Sequence, residues 1–339
     1  MTASLMRRET LEAPEAAARL LGAPVLADAA ARLRAAGPRL VLFCGRGSSG
    51  HAGTALRYLI SQHLGIATAD ALPSLASVYR SRLDLSGTVL VALSQSGRSP
   101  DLVAQTEAAR AEGALTVALV NDPASPLARA SDLVLDLRAG PERSVAATKS
   151  VLAELAAGAA LIAHWAEDAA LLAALARWPE RLAAAATLDW SALAAVLAAH
   201  DHAFTVGRGV GMGIAGEAAL KLAEVAGIAA LAHSSAELAH GPRALAGPDF
   251  PALGFVQDDA ARAGTEAMLA DLAAAGAPVL AAGAAPVGAT ALPVLPPDHP
   301  ALDLLPMLLA FYLAAEAAAR ARGRDPDHPP ALRKVTETR

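Results

Sequence analysis

Residues 39–44, RLVLFC, form a short apolar run rich in branched and aromatic side chains, and it empties into Gly45-Arg46-Gly47-Ser48-Ser49-Gly50. A run of this kind before a Gly/Ser loop predicts a buried parallel strand feeding a helix. TVLVAL at 88–93 repeats the arrangement, with Ser94-Gln95-Ser96-Gly97-Arg98-Ser99-Pro100 after it and a helical pattern over 101–112. Two more strands are predicted at 115–120 and 132–137. Ahead of them, 12–34 reads as one amphipathic opening helix, with Pro14 tolerated near its first turn. Strands alternating with helices predict an α/β fold with a doubly wound parallel sheet.

The second half echoes the first. Gly45-Arg46-Gly47 recurs as Gly207-Arg208-Gly209, and Gln95 recurs as Gln257 after the run PALGFV, both about 162 residues on. A shared offset predicts an internal duplication of one α/β unit. Between the copies, 165–199 reads as Ala/Leu-rich connecting helices; 302–322 reads as a long closing helix, and an extended tail follows from Asp325.

Within the second copy, 216–242 carries Glu217, Lys221 and Glu224 one turn apart on a helix, within about 60° of one another. Ile214, Ala218, Leu222 and Val225 form a neighbouring apolar face, which predicts a core contact with the charged stripe aimed elsewhere. Beyond the helix the chain becomes irregular and reaches His240-Gly241-Pro242. Taken alone, such a stripe is more often a solvated helix face than a catalytic one.

Composition narrows the classes. A chain of 339 residues calls for about two domains. Hydrophobic residues make up 54%, much of it Ala, and aromatics only 3%, which predicts helix-rich packing through small contacts. A net charge of -5 without a Lys/Arg run argues against nucleic acid as a partner. The N-terminal stretch lacks a signal-peptide core, and apolar runs such as 156–163 are too short to span a bilayer. The expectation is a cytoplasmic protein with no membrane partner. Cys44, the single cysteine, reads as a small buried hydrophobe. His200 and His202 read as a polar turn; no metal-ligand cluster and no cofactor are expected.

Both Ser-rich loops lie where ligands of such sheets bind, beyond the carboxyl ends of the strands. Neither matches a dinucleotide fingerprint or a P-loop. Ser94, Gln95, Ser96 and Ser99 can donate to phosphate oxygens at a helix N-terminus, so a phosphomonoester fits better than a nucleotide. The second copy has Val256-Gln257-Asp258-Asp259 at the equivalent place, whose acids would repel phosphate.

The ordered motifs GRGSSGHAG, SQSGRSPD, SVAATKS, GEAALKLAE, AELAHGP and DPDHPPALRKVT, reaching from MRRETLEAP to the tail, resemble the double sugar isomerase (SIS) domain family. The chain is similar to the isomerase half of glucosamine-6-phosphate synthase and, more closely, to stand-alone SIS-type glucosamine-6-phosphate deaminases. The resemblance implies two tandem flavodoxin-like SIS subdomains with flanking helices: a helical segment 1–35, subdomain 36–164, connector 165–199, subdomain 200–322 and tail 323–339. It implies that Ser49, Ser94, Gln95, Ser96 and Ser99 hold the sugar phosphate, with the backbone around Val145 closing on the sugar. Glu224 would move a proton between C1 and C2, His240 would assist ring opening, Lys334 would contact the open-chain carbonyl, and Glu217 and Lys221 would be companions of the base. The first copy would grip the phosphate and the second would transfer protons. The histidine commonly enters from a neighbouring subunit in this family, which implies a homodimer. Ala147 stands where the synthase has a serine, and Ser99 where it has a threonine.

The synthase draws ammonia from a glutaminase domain with an N-terminal cysteine, for which this sequence offers no counterpart. The expected direction is therefore release, from glucosamine 6-phosphate and water to fructose 6-phosphate and ammonia. The alternatives are deglycation of a fructosamine 6-phosphate, action on the galactosamine epimer, or a non-catalytic phosphosugar sensor.

Overall fold

The computed structural model describes residues 3–334, so Val335 and Thr336 of the tail motif lie outside the described residues. In chain order the first half has α1 Leu5–Leu11, α2 Ala13–Leu21, α3 Val25–Ala36, β1 Leu40–Cys44, α4 Gly47–Leu64, β2 Ala67–Asp70, α5 Pro73–Ser77, β3 Thr88–Ser94, α6 Pro100–Ala111, β4 Leu115–Val120, α7 Pro126–Ala130, β5 Leu133–Asp136 and α8 Lys149–Ala166. The second half has α9 Ala169–Ala185, α10 Ser191–Ala199, β6 His202–Gly207, α11 Val210–Lys221, a π turn Leu222–Ala226, β7 Ala229–Ser234, α12 Ser235–Leu238, a 3-10 turn Pro242–Leu245, β8 Ala252–Val256, α13 Arg262–Ala274, β9 Val279–Gly283, β10 Thr290–Leu292 and α14 Leu304–Ala321.

Two compact units result. One comprises Glu15–Glu142, Lys149–Ala176 and the tail from Arg333; the other comprises the residues up to Pro14, Arg143–Thr148 and Arg177–Leu332. In the first unit all strands are parallel in the order β2-β1-β3-β4-β5, and β3, its central strand, is buried along its whole length. That burial on both faces is why TVLVALS reads as a continuous apolar run. The order reverses between β1 and β3, which places the loops after these two strands at the switch point. The Ala-rich α8 is buried nearly throughout and crosses α4 at Gly158, where a Cβ would sit 2.3 Å from Leu56 Cδ1. Cys44 ends β1 in the core, and burial, reinforced by Asp101, pushes its thiol up to about 12.

The second unit repeats the topology as β10-β9-β8-β6-β7, again all parallel, so the duplication and the two tandem flavodoxin-like sheets are present. α14 packs on α10, α11 and α1. Among the described residues it is the one helix long and apolar enough to cross a membrane, and 83% of it is buried.

Three expectations need correction. The helix expected over 12–34 is two helices, α2 and α3, broken at Gly22-Ala23-Pro24, where Pro24 stands at the N-cap of α3, and a separate α1 precedes them. His200 and His202 do not form a polar turn: His200 ends α10 with Nδ1 2.7 Å from the Val196 carbonyl, and His202 opens β6, stacked on Phe250. The Glu/Lys/Glu stripe does not face away from the core, because Glu217 and Lys221 are 1% and 0% exposed.

Candidate active site

In the first unit β1 leads through Gly45 into α4. A Cβ on Gly45 would lie 2.8 Å from the Ser49 carbonyl carbon and oxygen, so this close return requires glycine. Arg46 places Nε and Nη2 2.8 and 2.7 Å from one carboxylate oxygen of Asp101, a buried residue in the first turn of α6. The β1 and β3 loops are thereby tied together.

After β3, Ser94 Oγ accepts the Gly97 N–H at 3.1 Å, and Ser96 Oγ accepts the Arg98 N–H at 3.3 Å. The Gln95 carbonyl accepts from Asn121 N, and the Gly97 carbonyl from Leu127 N. Gly97 has φ +61°, and a Cβ there would come within 2.2 Å of Ser125 Oγ. Each serine hydroxyl that accepts from the backbone keeps its own proton to donate elsewhere. Ser99 occupies the N-cap of α6 without making a side-chain cap, and Pro100 follows at the first helical position. The loop thus combines serine O–H groups with a helix N-terminus, a combination that suits an anion.

Ser49 differs. Its hydroxyl donates to Glu154 Oε1 at 2.8 Å, and Glu154 is 1% exposed. As placed here, the single proton of the Ser49 hydroxyl is given to that carboxyl group.

The equivalent loop of the second unit, after β8, is filled by its own acid. The amide of the buried Gln257 donates to Asp259, and Asp259 Oδ1 accepts the Ala261 N–H at 2.7 Å.

The helix of the second unit that carries the charged stripe changes pitch where it matters. α11 is regular to Lys221, then widens into the π turn Leu222–Ala226 and stops at Gly227, whose φ is +63°. Glu224 lies inside that turn. Single π turns within α-helices are often found at functional sites. Lys221 Nζ is 2.5 Å from Glu224 Oε2 and 3.5 Å from Glu217 Oε1. Tyr312 of α14, itself fully buried, donates its hydroxyl to Glu217 Oε1 at 2.9 Å. Burial alone would pull the Lys221 ammonium down, but Glu217 and then Glu224 outweigh it, and its pKa rises above the ordinary lysine value. The Glu224 side chain is 21% exposed, so this carboxylate is where the buried charge cluster reaches solvent.

His240 is not joined to this cluster. It stands exposed after α12, its N–H bonded to the Glu237 carbonyl at 3.0 Å, before Gly241 at φ +140°. Among the described residues no side chain hydrogen-bonds its imidazole. Val145 lies half-buried in the segment Arg143–Thr148, which the buried Glu9 holds by accepting the Arg143 and Ser144 N–H groups at 2.5 and 3.0 Å. In the first unit, Lys334 Nζ lies 3.5 Å from Glu142 Oε2, and Ser150 fixes the same carboxylate through N and Oγ at 3.1 and 2.5 Å. Among the described residues no three His, Cys, Asp or Glu side chains are grouped to hold a metal.

Glu9, Glu142, Glu154 and Tyr312 were not foreseen. Glu9 and Glu142 lie within or beside motifs already singled out, whereas Tyr312 sits in an apolar helix with only its hydroxyl as a signal.

The SIS domain family matches residues 36–164 and 196–282, and the chain belongs to it. It is 36% identical over 330 residues to the isomerizing glutamine–fructose-6-phosphate aminotransferase of Symbiobacterium thermophilum, covering 90% of this chain and 52% of that protein. The chain thus spans about half the length of that curated relative. A protein of Silicibacter pomeroyi DSS-3 provisionally assigned as a phosphosugar isomerase shares 45% identity, covers 96% of this chain and 100% of its own, and superposes with a TM-score of 0.92. The C-terminal domain of the Francisella tularensis glucosamine-fructose-6-phosphate aminotransferase, 24% identical, has the same fold, with a TM-score of 0.87 and coverage of 97% and 99%.

Proposed function

We propose that the protein is an aldose-ketose isomerase of phosphorylated amino sugars, converting glucosamine 6-phosphate and water to fructose 6-phosphate and ammonia. The observation that carries this reading is Glu224, a carboxylate at the solvent edge of an otherwise buried Glu217–Lys221 pair. In the open-chain aldose, C1 is an aldehyde and C2 bears the amine. Glu224 takes the proton from C2 and returns it to C1, while O1 gains a proton and the C2 amine loses one, so the C1 carbonyl is reduced to the alcohol and C2 becomes an imine. Water adds to that imine and ammonia leaves, which balances the reaction.

A base of this kind must be held within reach of the C–H, and the Lys221 ammonium 2.5 Å away anchors the Glu224 carboxylate. For the first unit we assign the phosphate to Ser94, Gln95, Ser96 and Ser99. Ser49, whose proton goes to Glu154, is assigned to a sugar hydroxyl, from which it can accept. The backbone around Val145 is assigned to the sugar, and Lys334 to the open-chain carbonyl, where an amine can polarise it or form an imine.

We also propose a cytoplasmic homodimer, in which the exposed His240 serves the ring-opening step for the partner copy. Support for a phosphosugar substrate comes from the similarity to the isomerizing aminotransferase of Symbiobacterium thermophilum and to the Silicibacter pomeroyi protein. The test is to supply glucosamine 6-phosphate, galactosamine 6-phosphate and a fructosamine 6-phosphate separately and assay ammonia and the ketose or free-amine product. Turnover confined to either of the other two sugars would replace the proposed substrate.

A further inference from the structure

Two carboxylates, Glu217 and Glu224, share the Lys221 ammonium, and the distances are unequal: 3.5 Å to the first and 2.5 Å to the second. The more deeply buried acid has the weaker hold. In a low-dielectric interior the opposite is expected, because a buried carboxylate gains most from a close cation. The Tyr312 hydroxyl supplies the difference by giving Glu217 a donor beyond Lys221, at 2.9 Å on the same oxygen that faces the ammonium. α14 is placed for this, since it packs on both α11 and the π turn.

We propose that Tyr312 is a positioning residue for the proton-transfer base: by hydrogen-bonding Glu217 it leaves the Lys221 ammonium to Glu224 and so fixes that carboxylate. Without the hydroxyl, Glu217 draws the ammonium toward itself and Glu224 loses its anchor at the solvent edge. The role assigned to Glu224 rests on the proposed isomerase activity; the effect of Tyr312 on Lys221 does not.

The test is Tyr312→Phe, which keeps the ring and removes one oxygen from a packed core. Two quantities are read: turnover of glucosamine 6-phosphate, and the ¹⁵N resonance of the Lys221 ammonium assigned by its loss in Lys221→Met. The expected result is a kcat lowered about tenfold with KM within about twofold, the pattern of a lost transition-state interaction, together with a shifted Lys221 resonance. On a Glu217→Gln background the same substitution adds little, because the two act as one chain. An unmoved Lys221 resonance overturns the proposal whatever the turnover. So does an unchanged kcat in an active enzyme, or a full additional loss on the Glu217→Gln background. If the wild type turns over no phosphosugar, the isomerase reading fails, and the resonance alone decides the positioning role.

Discussion

The ammonium of Lys334 lies 3.5 Å from the carboxylate of Glu142, a side chain with no solvent exposure. A residue near the end of the chain is thus seated on a buried acid that Ser150 orients from α8. Lys334→Met is expected to lower kcat about 100-fold or more if the amine acts on the carbonyl, with an unchanged unfolding temperature. Glu142→Gln keeps the shape but weakens the seat, and limited proteolysis should then cut the tail faster. Full activity in Lys334→Met would reduce the lysine to a surface charge.

The β3 loop predicts discrimination between a sugar and its phosphate. Ser94→Ala and Ser96→Ala each remove a donor to a charged group, a contribution of about 1.5–3 kcal/mol, so KM for a 6-phosphate should rise about 10- to 100-fold. Ser49→Ala should alter KM less, because its proton already belongs to Glu154. Steady-state kinetics on the three variants checks this ordering. An equal effect at all three positions would return Ser49 to the phosphate.

Gly97 tests the loop's architecture apart from its chemistry. Its φ of +61° and the 2.2 Å approach of a Cβ to Ser125 Oγ leave no room for a side chain. Gly97→Ala should cost about 2 kcal/mol of stability or more, from backbone strain plus overpacking, read by urea unfolding. A neutral effect would mean that the loop shifts freely.

Stability should fall at alkaline pH through two buried groups. The Cys44 thiol, pushed from 9.0 to about 12 by burial, binds a proton in the folded state that the unfolded chain has lost. Its contribution is complete below pH 9.0 and disappears as pH rises toward about 12. Lys221, also raised, keeps its contribution below its ordinary value of 10.5 and loses it as pH climbs through the higher folded value. Urea midpoints from pH 7 to 11.5 should decline above about pH 9, with a shallower decline in Cys44→Ala. A flat profile would contradict both assignments.

The parts of the fold that could be read from the sequence are those in which a local pattern has one physical meaning. RLVLFC and TVLVALS are continuous apolar runs because β1 and β3 are interior strands, and their Gly/Ser loops follow from the sharp turn into a helix. β2 is only Ala67–Asp70, ATAD, at an exposed sheet edge, so it carries no such run. β7, AALAHS, is an edge strand built of alanine rather than β-branched residues, and the pattern there looked merely irregular. Periodicity placed Glu217, Lys221 and Glu224 on one stripe but could not show that the stripe faces a buried tyrosine, since a polar face looks the same whether its partner is water or Tyr312. The π turn is equally silent in LAEVA, five ordinary helix formers. Pairs such as Ser49 with Glu154 and Glu142 with Lys334 depend on tertiary closure over long separations, which no local spacing encodes.

Glu224 is the residue proposed to transfer the proton in an isomerising deamination. The most direct measurement incubates the purified protein with glucosamine 6-phosphate and follows ammonia and fructose 6-phosphate together, with Glu224→Gln alongside. The expected result is equimolar release of both products by the wild type and loss of at least about 1000-fold in kcat in the variant, since a general base contributes about 10²–10⁴-fold and the variant also disturbs Lys221. Undiminished turnover by Glu224→Gln, or no product from the wild type, would contradict it.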